Sequence, residues 1–126
     1  MQIIKTPLEG LLILEPRVFS DSRGFFLETW NTQVFKDLNL DIDFTQDNQS
    51  YSHAGVLRGL HFQKPPHAQG KLVRVSRGRA LDIVVDIRKE SPTYGQHFKI
   101  ELCAEKAQAL WIPAGFAHGF LALEDH

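Results

Sequence analysis

Two histidines lie in short apolar strings that could hold them for chemistry. His61 is in Gly55-Val56-Leu57-Arg58-Gly59-Leu60-His61-Phe62-Gln63, and His118 is in Pro113-Ala114-Gly115-Phe116-Ala117-His118-Gly119-Phe120. Imidazole titrates near neutral pH, so a partly buried histidine can serve as acid or base. In an apolar strand it can equally be a hydrogen-bonded core group, and either histidine alone leaves both readings open. A transition-metal centre needs three or four converging ligands. His61 and His118 could converge across a sheet. The next position on the face of His61 is Gln63, a poor ligand, and the surrounding window offers no carboxylate. The expectation is a site without a metal.

Lys71 opens a stretch in which Lys71, Val73, Val75 and Arg77 share one face. A lysine pointing into a barrel needs an anion, and a bound oxyanion would serve. The alternative is an exposed lysine on a strand edge. Strict alternation places Arg58 and His61 on opposite faces, and a bulge or bend at Gly59 would bring both to one pocket. Asp82 and Asp86 share a face with Val84 in an apolar strand. Structural ion pairs are the favoured reading, and orientation of a histidine is the alternative.

These residues sit in an uneven field of charge. From Asn48 to Leu81 there is no Asp or Glu, whereas Arg58, Lys64, Lys71, Arg74, Arg77, Arg79, His53, His61 and His67 all fall there. Such charges must be solvated or meet an anion. The readings are an exposed basic face, a phosphate-type ligand, or a nucleic acid. The last is the weakest, because only Tyr51 and Phe62 offer stacking nearby.

The elements that must position these groups read mostly as strands. Leu11–Glu15, Gly24–Trp30, Lys71–Arg77, Ala80–Ile87, His97–Cys103, Leu110–Ile112 and Phe116–Leu123 are apolar or alternating. Turn signals fall at Ser22-Arg23-Gly24, Lys64-Pro65-Pro66, Arg77-Gly78 and Ser91-Pro92-Thr93-Tyr94-Gly95. One short helix is expected over Thr32–Leu38 with Asn31 as its N-cap. Many short strands argue for an all-β antiparallel sandwich or barrel. The 126 residues, 43% hydrophobic and 23% charged, fit one domain and argue against disorder. No run approaches the ~18 apolar residues of a membrane helix, and no signal peptide is visible. A net charge of -1 gives no global pull toward nucleic acid. The lone Cys103 cannot form an internal disulfide, so a cytoplasmic setting is expected.

At this level of detail the chain resembles a known family. SDSRGFFLETW, FTQDNQSYSHAGVLRGLHFQ, QGKLVRV, DIVVDIRKESPTYGQ and LWIPAGFAHGF are together similar to the dTDP-4-dehydrorhamnose 3,5-epimerases of the cupin superfamily. Gly55-x5-His61-x-Gln63 resembles the first cupin motif with its second histidine replaced, and Pro113-x-Gly115-x-x-His118 resembles the second. The resemblance implies a jelly-roll β-barrel over residues 1–126 and a homodimer; with the metal-free reading, the charge balance and the lack of a long apolar run, the expectation is no cofactor and no nucleic-acid or membrane partner. It implies a dTDP-sugar substrate, dTDP-4-keto-6-deoxy-glucose, epimerised at C3 and C5 on the way to dTDP-L-rhamnose. It makes His61 the catalytic base and Lys71 the group that stabilises the enolate. It makes Arg58 and His118 contacts to the substrate, Arg23 and Glu28 contacts to the nucleotide, and Gln46 and Asn48 polar substrate contacts. Phe19 and Phe26 could lie near thymine, with core packing favoured.

The resemblance also implies that family members continue past Leu123-Glu124-Asp125-His126. The further segment would carry a tyrosine proton donor and an aspartate that pairs with the base, neither of which has a match here. The expectation is therefore a C-terminally incomplete domain with part of the pocket and little epimerase activity. Alternatives are a 3-epimerase, a ketoisomerase, a non-catalytic nucleotide-sugar-binding cupin and, least favoured, a metal-dependent dioxygenase.

Overall fold

Alternation of side chains along Arg79–Asp86 sets the architecture. Ala80, Asp82, Val84 and Asp86 are buried, while Leu81, Ile83 and Val85 between them are only partly covered. That is a strand with one face committed to a core. The computed structural model describes residues 1–40, 44, 46–63 and 70–124. In chain order its elements are β1 (Gln2–Lys5), β2 (Leu12–Glu15), β3 (Val18–Asp21), β4 (Gly24–Leu27), α1 (Thr32–Asp37), β5 (Leu57–His61), β6 (Lys71–Arg74), β7 (Arg79–Asp86), β8 (His97–Cys103), β9 (Ala109–Ile112) and β10 (Phe116–Ala122).

Two four-stranded antiparallel sheets, β1-β2-β9-β6 and β5-β10-β7-β8, carry the fold, with β3-β4 as a separate hairpin. One core draws on both sheets: Ile13, Leu110 and Ile112 from the first, Ala80, Val84, Leu102 and Phe116 from the second. The sheets therefore pack face to face, in keeping with the sandwich or barrel expected from the sequence. Leu14 points the other way from Ile13 and is fully buried under α1, against Phe35. Burying Phe35 completely is worth roughly 2–3 kcal/mol to the helix contact. The Asn31 side chain accepts a hydrogen bond from the Val34 N–H at 3.1 Å, so the expected N-cap starts the helix.

Several strand ends differ from expectation. β4 stops at Leu27 rather than Trp30, because Trp30 turns away to pack on Phe35 at 4.3 Å. β1 and β3 were not anticipated; they are four-residue strands completed by pairing with β2 and β4. Core packing of Phe19 and Phe26 is overturned. They are cross-strand partners in the hairpin, 52% and 69% exposed. The turn at Lys64-Pro65-Pro66, with His67, lies outside the described residues, as do Asp125 and His126.

The register of β5 against β10 departs from regular pairing. His118 pairs with His61 and Phe120 with Arg58, so three steps along β5 match two along β10. The extra residue falls at Gly59–Leu60, where the bend was expected. The backbones of Gly59 and Gly119 almost touch there. A Cβ on Gly119 would lie 2.5 Å from the Arg58 carbonyl oxygen, and one on Gly59 would lie 2.6 Å from Gly119 Cα. Gly59 also has φ of +109°, which favours glycine.

Asp86 closes the other end of the inner face. Its carboxylate accepts from the Arg88 backbone N–H, Nε and Nη2, each at 3.0 Å, and from Ser91 Oγ at 2.6 Å and Thr93 Oγ1 at 2.5 Å. Arg88 in turn reaches the Glu9 carbonyl at 2.7 Å and lies over the Phe116 ring. Asp86 is thus the structural ion pair the sequence suggested. Burial alone would push its carboxyl up, but the bonds from Arg88, Ser91 and Thr93 outweigh it and hold the group well below the usual carboxylate range.

Gly119→Ala should cost about 1–3 kcal/mol, because the new methyl meets backbone that cannot give way; a lower urea midpoint at unchanged slope would register it. Asp86→Asn should cost on the order of 3 kcal/mol at neutral pH by leaving Arg88 without its carboxylate. The folded-state pKa of Asp86 is depressed, so its contribution is present above the unfolded value of 3.8 and is lost as pH falls below it. The gap between parent and variant in urea titrations should therefore narrow from pH 7 to pH 3.

Candidate functional site

The bulge in β5 decides which side chains meet. Without it Arg58 and His61 would face opposite ways. With it both share the face of Phe120 and His118, which is also the inward face of Asp82 and Val84 on β7. Lys71 arrives from the other sheet. It pairs with Ile112 and shares the face of Val73, so it points toward the common core from an edge strand. Both sequence readings of Lys71 thus hold in part: it is on an edge, yet half-buried and directed inward.

Arg58, His61, Lys71 and His118 line one cleft of about 440 Å³, together with Leu57, Gly59, Gly119 and Phe120. That is a volume suited to a small-molecule site. Arg58 is held from behind, its Nε donating to the buried Ser52 Oγ at 2.9 Å. Lys71 forms no ion pair among the described residues, so its ammonium is available to an anion. His61 is exposed and makes no side-chain hydrogen bond among the described residues. His118 is buried, and its Nε2 is hydrogen-bonded to Asp82 Oδ2 at 2.8 Å. Of the two readings of Asp82, the structure fits the alternative, a carboxylate set on a histidine: its partner is His118 of the cleft. Its position in an apolar strand was the only signal, and the partner, 36 residues away, was not readable.

The other four predicted residues do not line this cleft. Arg23 sits at the tip of the β3–β4 hairpin, where its Nη2 bonds Asp21 at 2.7 Å. Glu28 is exposed just past that hairpin. Gln46 donates to Asn48 at 3.3 Å on an exposed stretch. The acid-free window also resolves into separate environments. Arg58 and Lys71 enter the cleft, whereas Arg79 meets Glu101 at 2.7 Å and Glu124 at 3.4 Å. Lys64 and His67 lie outside the described residues. Among the described residues no three His, Cys, Asp or Glu side chains are grouped to hold a metal ion. A second cavity of about 80 Å³ near Met1, Leu14, Phe25 and Phe35 is lined mainly by apolar groups and brings no acid–base pair together. No helix among the described residues is long and apolar enough to cross a membrane.

The cleft can do particular chemistry. A histidine free to accept a proton stands beside a lysine free to stabilise an oxyanion, and an arginine can hold a further negative group. The family model described as dTDP-4-dehydrorhamnose 3,5-epimerase matches residues 5–126. The enzyme of that name from Salmonella typhimurium is 54% identical, the match covering 100% of this chain and 69% of that protein. The Bacillus anthracis structure, with TDP and pyrophosphate bound, is 48% identical with a TM-score of 0.96, covering 99% of this chain and 72% of that one. The Legionella pneumophila structure, in complex with dTDP-4-keto-L-rhamnose, is 47% identical with a TM-score of 0.92, covering 98% and 65%. With its cupin-type jelly roll and a match over nearly its whole length, the chain belongs to the dTDP-4-dehydrorhamnose 3,5-epimerase family.

Proposed function

We propose that the cleft holds dTDP-4-keto-6-deoxy-glucose and epimerises it at C3 and C5, with His61 as general base and Lys71 as enolate stabiliser. The observation that carries this reading is the convergence of His61, Arg58 and Lys71 on one cleft through the β5 bulge. C3 and C5 both flank the C4 ketone. Removing a proton from either carbon sends its electron pair to the C4 oxygen, so the charge to be stabilised is the same in both steps. A lysine ammonium beside that oxygen lowers the barrier where charge develops. His61, with no internal hydrogen bond to break among the described residues, can take the proton. A proton from solvent water is delivered to the other face of the ring, and the proton held by His61 is released to solvent. The two tyrosines, Tyr51 and Tyr94, do not line the cleft.

Arg58 and His118 contact the sugar and diphosphate in this reading. An extended nucleoside diphosphate reaches well past its sugar, and Arg23, Glu28, Gln46 and Asn48 serve its nucleotide end. We read residues 1–126 as one cupin-like domain, which the shared core of the two sheets supports. A homodimer is supported by Phe19 and Phe26, paired and exposed on a hairpin that is marginal by itself. The lone Cys103, buried and free, accords with a reducing cytoplasm.

Incubation of the chain with this substrate in D2O should place deuterium at C3 and C5; deuterium at C3 alone would indicate a 3-epimerase. His61→Asn should reduce incorporation by about 10²-fold or more with dTDP binding kept. Lys71→Ala should slow exchange by a similar factor and weaken dTDP binding much less. Equal losses in both assays would make Lys71 a nucleotide anchor. In sedimentation equilibrium the parent should be dimeric, and Phe19→Ser with Phe26→Ser should shift it toward monomer.

A further inference from the structure

The cleft is rich in donors and short of acceptors. Arg58 and Lys71 can only donate. Asp82 is 1% exposed behind His118 and does not line the cleft. A sugar brings hydroxyl donors as well as acceptors, and cations cannot receive them. We propose that Asp82 is a positioning residue that fixes the tautomer of His118. His118 Nδ1 thereby becomes a hydrogen-bond acceptor for a sugar hydroxyl inside the cleft. The inference rests on the reading that this cleft holds the sugar.

A carboxylate accepts and does not donate, so the ring nitrogen at 2.8 Å, Nε2, bears the hydrogen. In a neutral imidazole the other nitrogen, Nδ1, then presents a lone pair. Among the described residues no buried side-chain nitrogen or oxygen lacks a partner, and Nδ1 finds none among them. It therefore opens on the cleft that His118 lines. The pair is also locked in place. His118 and Asp82 lie on the same inward face of adjacent strands, Asp82 pairing with Phe120 two residues beyond His118. His61 is the direct cross-strand neighbour of His118, so a sugar presented to His61 is beside Nδ1.

The test starts with the parent chain, labelled with 15N-histidine, in a two-bond 1H–15N correlation spectrum at about pH 8. His118 should show a protonated Nε2 and a bare Nδ1; a protonated Nδ1 overturns the proposal. Asp82→Asn should mix the tautomers, because an amide can donate or accept. It should weaken binding of dTDP-glucose about tenfold, and of dTDP less than about twofold. Equal weakening of both ligands overturns the proposal. Should Asp82→Asn not fold, the parent spectrum still decides the tautomer and His118→Leu carries the same binding comparison. Unchanged dTDP-glucose affinity in His118→Leu is again fatal to it. Failure of the epimerase reading would appear separately, as a parent chain that incorporates no deuterium.

Discussion

The close approach of the Gly59 and Gly119 backbones is the constraint on which the cleft depends. Strands spaced normally keep side chains alternating, and alternation would send Arg58 into one environment and His61 into another. The extra residue in β5 breaks that period once. Two residues three apart in the chain then face the same way, opposite two residues that are two apart. The join has room for no side chain: either Cβ would come within 2.6 Å of the partner strand's backbone. A hydrogen-bonding irregularity, rather than any single catalytic group, thus assembles the site.

β7 supplies the backing for this arrangement through two buried carboxylates on the same face. Asp82 and Asp86 are close in sequence and equally buried, yet they have different tasks. Asp86 is surrounded by Arg88, Ser91 and Thr93 and ties the turn after β7 to the loop near Glu9. Asp82 has the cleft histidine His118 as its side-chain hydrogen-bond partner among the described residues. Burial makes both costly unless bonded, and the bonds each finds decide whether it stabilises the fold or orients the site.

Much of the framework was legible in local pattern. His97–Cys103 alternates and is β8 over the same bounds, and Asn31 caps the helix it was expected to cap. The bend at Gly59 was anticipated from the conflict between Arg58 and His61, because glycine is the residue that tolerates it. The aromatic residues were less legible. Phe19 and Phe26 look like core residues by type, but a two-stranded hairpin has two faces and only one lies against the rest of this chain. The acid-free window suggested one basic face. Among its described members Arg58 and Lys71 enter the cleft, and Glu101 and Glu124 from distant segments neutralise Arg79.

Sequence by itself determined the kind of element at most positions and named Arg58, His61, Lys71 and His118 among eight candidates for one site. Turn chemistry and period-two burial act over a few residues, so they can be read locally. Tertiary structure alone decided how β5 registers against β10, which carboxylate serves a histidine, and that Lys71 faces inward from an edge. Those outcomes rest on strand pairing between segments far apart in the chain, as with His118 and Asp82, 36 residues apart. No local pattern encodes the partner of a strand, and a shift of one residue in that pairing reverses every side chain along it.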